Sequence, residues 1–305
     1  MNIDKPRAVF LFCTLLTALT ALLIMLYIFW VAFPTFQRQG LNFFLGTVWN
    51  YDTGEYGIFN FIAGTLALTA VTMVMAVPLS ILTALFLAEW APKRLDGLLS
   101  SIIELLVGIP SVVFGIFGYF VLRHYFIDYI NPFISNTLGF IPLFHNPTPQ
   151  FGDNILLAST VLTLMILPTI TALTRDAIHA VPNELREASL ALGATKWETI
   201  KKVVLPESFP GILTGCILGM MRAMGETMAI VMLMGNYMKI PTSIFDGGTA
   251  MTSKILLDIS YWIIFDEPKS ALFAIAATLF ALEILLVAMV RYISHRYSTM
   301  GGYSQ

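Results

Sequence analysis

Charge is scarce in this sequence. Only 12% of its 305 residues are Asp, Glu, Lys or Arg, about half the share usual in soluble domains. With 57% hydrophobic residues and a mean hydropathy of +0.78, it has too little polar surface to cover a water-soluble globule. Neither sign of charge dominates: a net charge of −2 and a pI near 6.1 argue against nucleic acid as the main partner. Cysteine is almost missing. Cys13 and Cys216 both sit inside apolar runs, where they read as small packed hydrophobes and not as a disulfide framework or thiol site. The four histidines, His124, His145, His179 and His295, are scattered and share no zinc or catalytic spacing, so no metal or cofactor is expected. No Gly-Lys dipeptide occurs. The chain therefore lacks a Gly-x4-Gly-Lys-Ser/Thr loop and cannot cradle ATP that way.

What is abundant is long apolar runs. A membrane span needs about 20 mostly apolar residues, and six stretches qualify: Ala8–Phe33, Phe59–Leu87, Leu98–Leu122, Ile155–Leu173, Phe209–Met234 and Ala271–Val290. The first follows Lys5 and Arg7 as a secretory signal would. It is too long for a signal core and no small-x-small cleavage site follows, so it reads as a retained helix. In alternate loops, eleven Lys and Arg fall on one side and five on the other, with Arg222 inside a span. That excess places both termini in the cytoplasm. The expected class is an all-α integral membrane protein with about six transmembrane helices. Trp49, Tyr51 and Tyr56, in the outer segment 34–58, read as anchors at the membrane surface.

The long cytoplasmic loop 174–208 has internal order. From Asn183 to Leu192 the spacing predicts a short amphipathic helix, with Leu185, Ala188 and Leu192 on one face. Pro182 precedes it, and Gly193 can supply the left-handed turn that ends it. Thr195 and Glu198 match a capping box, opening a second short helix that Pro206 is expected to stop. An amphipathic helix lying on the bilayer is the alternative, weakened by Glu184, Glu187 and Glu198, which anionic headgroups would repel.

The run from Glu187-Ala188-Ser189 through Gly193-Ala194-Thr195 to Leu205-Pro206 resembles the EAA motif of ABC-importer permeases, with Ser189 in place of the second alanine. The resemblance implies a type I importer permease fold (MetI-like). It also implies that Glu187, Ala188, Gly193 and Ala194 form the coupling turn that docks on an ATPase subunit.

Span five holds the most informative chemistry. Taking Gly211 as the origin and about 100° per residue, Gly215, Gly219, Arg222 and Glu226 fall at roughly 40°, 80°, 20° and 60°. Gly211, Gly215, Gly219 and Gly225 then read as a packing face that admits a neighbouring backbone. Arg222 and Glu226 would share that face, pointing into protein or a cavity and away from lipid. A charge at mid-bilayer costs at least about 2.5–3.5 kcal/mol, so such residues are functional candidates. The competing reading is a structural Arg222–Glu226 pair, worth a few tenths of a kcal/mol. A guanidinium suits a tetrahedral oxyanion because its planar fork donates two hydrogen bonds while staying charged. Gly108-Ile109-Pro110-Ser111 interrupts span three, as an ordinary kink or as part of a pathway. Glu104 and Glu283 remain open between structure and function.

The segment from Leu218 to Ala229, with its Arg222-Ala223-Met224-Gly225-Glu226-Thr227 core, then Met234-Gly235-Asn236, resembles the PstC-type permeases of phosphate ABC importers. Trp49-Asn50, Gly64-Thr65-Leu66, Glu89-Trp90-Ala91-Pro92 and Gly108 to Gly115 agree. The resemblance implies a non-catalytic permease of the bacterial inner membrane, with Arg222, Glu226 and Thr227 on the phosphate path. It implies as partners a second permease of PstA type, two ATP-binding subunits of PstB type and an extracytoplasmic phosphate-binding protein of PstS type. The expected organisation is an N-terminal helix and outer segment over 1–58, a permease domain over 59–293 and a cytoplasmic tail over 294–305. A permease for sulfate or molybdate, or a stand-alone ion-driven carrier, are the alternatives.

Overall fold

The computed structural model describes residues 5–145 and 152–300. The stretch 146–151, the side chains of Glu104 and His295, and the tail beyond residue 300 lie outside the described residues. Among the described residues, five helices are long and apolar enough to cross a membrane, and a bent pair makes up to six. The chain divides into two compact units, residues 1–59 with 254–282, and residues 60–253 with 283–305. Segment 254–282 thus groups with the N-terminal region instead of with the rest of the expected permease domain.

In the first unit, α1 (Lys5–Gln39) leaves Phe10, Leu15, Leu19, Leu23 and Trp30 exposed. Such a surface suits hydrocarbon, where a helix satisfies its own backbone and only side chains meet the solvent. Cys13 is exposed on it, which corrects the expectation of a packed cysteine. Near its end, buried Thr35 donates its hydroxyl to Ser270 Oγ at 2.8 Å, and Arg38 pairs with Glu267 at 3.0 Å. A two-stranded hairpin follows, β1 (Trp49–Asn50) and β2 (Glu55–Tyr56), antiparallel with Trp49 opposite Tyr56. Its turn passes through Gly54 at φ +68°, a left-handed conformation that glycine adopts without a Cβ penalty.

The hairpin folds its aromatic rings inward. Trp49 and Tyr56 are 9% and 2% exposed, and Tyr51 stacks on Trp262 at 3.8 Å. Lys254, in α9 (Met251–Trp262), lies 5.2 Å from the Trp49 ring and pairs with Asp258 at 2.6 Å. The Tyr51 hydroxyl donates to the same carboxylate. These aromatics are therefore not membrane-surface anchors. They cage a buried ion pair, because ring faces accept a desolvated ammonium favourably.

The second unit is built around α5 (Ile155–His179), the most buried of the apolar helices. Asn154 caps it by accepting from the Leu157 amide at 2.9 Å. Against α2 (Phe59–Glu89), small hydroxyls mark the register: Ser159 donates to the Leu68 carbonyl, Thr163 to Thr72 and Thr171 to Ser80. All three contacts span 91 residues. A constant offset means that α2 and α5 run in the same direction, so the chain between them must cross back.

That return is made by α3 (Lys93–Gly108) and α4 (Ser111–Leu138), which meet at a 95° bend. The break at Ile109-Pro110 is thus far sharper than an ordinary kink, since Pro110 removes a donor and Ile109 takes an extended conformation.

After α6 (Asn183–Ala191), α7 runs without interruption over Lys196–Gly225. Pro206 does not stop it. A wide turn at Ile200–Val204, where the Leu205 amide bonds the Ile200 carbonyl, resets the ladder just where Pro206 has no amide to offer. The short α8 (Met228–Leu233) follows, and α10 (Asp266–Met300) is the last described helix.

Candidate functional site

The α5–α7 interface places the candidate site. A methyl at Gly211 would lie 2.4 Å from Ala177 Cβ, one at Gly215 3.1 Å from Leu173 Cβ, and one at Gly219 2.5 Å from Ile170 Cγ1. The α7 numbers rise as the α5 numbers fall, so the helices are antiparallel and in close backbone contact. Gly225 differs: a methyl there would meet nothing within 4 Å. It ends the helix instead of packing it, a correction to its expected role.

Arg222 continues this face. Half-buried, it donates from Nη1 to Thr169 Oγ on α5 at 3.1 Å. It lies in the last turn of α7, where the helix dipole favours a cation. Among the described residues no ion pair joins it to Glu226, so the structural-pair reading has no support in the geometry. Thr169 was missed in the sequence, because only the antiparallel register brings it to Arg222.

Glu226 is not on the helical face. Its backbone is extended, at φ −67° and ψ 136°. Helix α7 ends one residue earlier, and the Thr227 hydroxyl donates to the carbonyl of Gly225 at 3.2 Å, meeting one of the acceptors that a helix end leaves open. The Glu226 carbonyl accepts from Thr252 Oγ at 2.8 Å. Beyond the break, α8 is seated on α4, where a methyl at Gly115 would lie 2.8 Å from Met232 Sδ and 3.1 Å from Ala229 Cα. Arg222 therefore stands in the last turn before a fixed interruption that Glu226 and Thr227 form between two helices. Such interruptions are tolerated at membrane depth only where protein or a water-filled path covers the freed backbone.

The 183–199 element forms a second locus. Gly193 has φ +85° and open space around it, so conformation alone calls for glycine there. The capping box is complete: the Thr195 amide donates to Glu198 Oε2 at 2.9 Å, and the Glu198 amide to Thr195 Oγ at 3.3 Å. Glu187, Ala188 and Gly193 are exposed and Ala194 is half-buried. Leu192 is 90% exposed, leaving the apolar face of α6 uncovered. Among the described residues no His, Cys, Asp or Glu cluster fits a metal.

A family model described as "binding-protein-dependent transport system inner membrane component" matches residues 76–299. The chain belongs to this family. The permease is 34% identical over 309 residues to the phosphate transport system permease protein PstC of Xylella fastidiosa (strain Temecula1 / ATCC 700964), covering 99% of this chain and 95% of that one. It is 36% identical to PstC of Haemophilus influenzae, covering 90% and 86%, and 34% identical to the probable ABC transporter permease protein YqgH of Bacillus subtilis (strain 168), covering 96% and 91%. Among solved structures, a bacterial alginate ABC transporter in complex with its alginate pentasaccharide-bound periplasmic protein superposes with a TM-score of 0.60 at 18% identity. The alignment covers 97% of both chains, and the likeness is one of fold. The permease is thus an all-α, multi-pass membrane component of an ABC importer.

Proposed function

We propose that this permease forms half of the translocation pathway for inorganic phosphate in the bacterial inner membrane. It works beside a PstA-type permease, two PstB-type ATPases that supply hydrolysis and a PstS-type binding protein that delivers the anion. The observation that carries the reading is Arg222. Its guanidinium is held by the neutral Thr169 hydroxyl and by no carboxylate among the described residues. A guanidinium has five N–H donors in a fixed fork, and one such contact leaves a face free for a tetrahedral oxyanion. The relatives named as phosphate permeases support phosphate over sulfate or molybdate.

The mechanism follows from the two loci. At the helix break, Arg222 binds the anion by charge-assisted hydrogen bonds. Glu226, across the break, keeps occupancy low enough for release, as a conduction path requires. Thr227, next to Glu226 in the break, adds a polar group to the path. At the coupling turn, Glu187, Ala188, Gly193 and Ala194 dock on an ATPase, whose closure swings the spans between outward and inward access. The Lys and Arg excess supports both termini in the cytoplasm. Uptake of inorganic phosphate into proteoliposomes carrying the assembled importer tests this. Arg222→Gln should abolish uptake with assembly intact, and Glu226→Gln should slow release and lower turnover. Native-level uptake in Arg222→Gln overturns the reading.

A further inference from the structure

Helix α6 carries the docking turn but buries no residue of its own. Motion received there must leave through contacts elsewhere. Beneath the element, Leu85, Ile178, Val181, Ile200 and Val204 form a small apolar cluster. Apolar contact is non-directional and allows sliding, so it holds the element in place without fixing its orientation.

Directional contacts converge on the last residue of α2. The Glu89 carboxylate, 8% exposed, pairs with Arg186 Nη1, whose side chain is 20% exposed. The second nitrogen of that fork, Nη2, donates to the Ile178 carbonyl near the end of α5 at 2.7 Å. Lys196 donates its ammonium to the Glu89 carbonyl and sits 5.7 Å from the Trp90 ring. Trp90 in turn lies 6.1 Å from Trp197. One residue thus receives a charged hydrogen bond on its side chain from α6 and another on its backbone from the first residue of α7. The Glu89–Arg186 pair is the sheltered one of the two, while the Lys196 contact is open to water.

We propose that Glu89 is a positioning residue for transport, the joint through which displacement of the docking element is passed to α2. Resting on the importer reading above, the inference adds a residue in a different helix from the docking turn. Two charged contacts at right positions resist rotation where the apolar cluster does not. The bidentate use of Arg186, to Glu89 and to Ile178, makes α2, α5 and α6 turn together. Lysine at 186 would lack the fork.

The assembled importer in proteoliposomes, supplied with ATP and inorganic phosphate, provides the test, with phosphate imported per ATP hydrolysed as the readout. Glu89→Gln should reduce that ratio about tenfold, equivalent to about 1.4 kcal/mol of coupling, while assembly and ATP hydrolysis persist. The swap Glu89→Arg with Arg186→Glu should recover most of the loss. A native ratio in Glu89→Gln overturns the proposal. So does loss of assembly that the swap does not repair, which would assign Glu89 to folding alone. If the native importer hydrolyses ATP but imports no phosphate, the importer reading itself fails, and the joint with it.

Discussion

Alanine at each glycine of the α5–α7 interface tests the packing argument in a graded way. Carbon atoms rest at about 3.5–4.0 Å, and a methyl at Gly211 would sit 2.4 Å from Ala177 Cβ. Alanine has no rotamer to turn aside, so the helices must part by more than about 1 Å. Overpacking of that kind costs about 1–3 kcal/mol, and the better helix propensity of alanine offsets about 1 kcal/mol. Because neither methyl can swing aside, the cost at Gly211 falls in the upper part of that range, about 2–3 kcal/mol, and the net loss for Gly211→Ala is about 1–2 kcal/mol. At Gly219 the clash is with Ile170 Cγ1 and Cδ1, at 2.5 and 2.6 Å. These are the far end of a side chain that can shift for about 0.5–1.5 kcal/mol, leaving a net change near zero. At Gly215 the nearest atom is 3.1 Å away, so Gly215→Ala should be neutral or slightly stabilising. Thermal unfolding of the purified permease in detergent gives the order directly. Native stability in Gly211→Ala, or Gly215→Ala as the worst of the three, would refute the interface as described.

Three further outcomes follow from single contacts. Thr169→Val removes the hydroxyl that holds Arg222; a neutral hydrogen bond is worth about 0.5–1.5 kcal/mol, so phosphate uptake should weaken several-fold while assembly is kept. Thr195→Ala removes the capping box and should destabilise the start of α7 by about 1 kcal/mol, read as faster hydrogen exchange over 195–200 with spans elsewhere unchanged. Burial acts to raise the Asp246 carboxyl, but the Lys239 ammonium and donors from Thr242 and Ser243 outweigh it, and its pKa lies below the ordinary 3.8. A depressed pKa gives stability that is present above the ordinary value and lost as pH falls through the folded one. The 239–246 loop should therefore loosen only in acid, and Asp246→Asn should remove that dependence in hydrogen exchange.

The glycine face was legible because the absence of a Cβ at intervals of four residues has one geometric use in a membrane helix. The wheel failed at Glu226 because it assumed the helix continues past Gly225, where extended backbone takes over. Pro206 and Pro110 show both directions of the same error. A missing amide signals disturbance, but whether the ladder is reset by a wide turn or broken into a 95° bend depends on packing that no local pattern records. Trp49, Tyr51 and Tyr56 have the composition of a membrane-surface belt. Their inward fold depends on Gly54 and on Lys254, some two hundred residues away in sequence. The 183–199 element was read closely because capping and left-handed turns are local chemistry. Its link to Glu89 was not, since a pair separated by 97 residues leaves no spacing to read.

Phosphate uptake by the importer carrying Arg222→Lys is the most direct test of the whole account. Lysine keeps the positive charge and loses the planar fork, so uptake should fall steeply while assembly and ATP hydrolysis remain. Uptake at the native rate would show that charge alone suffices at this position, contradicting the claim that a guanidinium at the helix break recognises the anion.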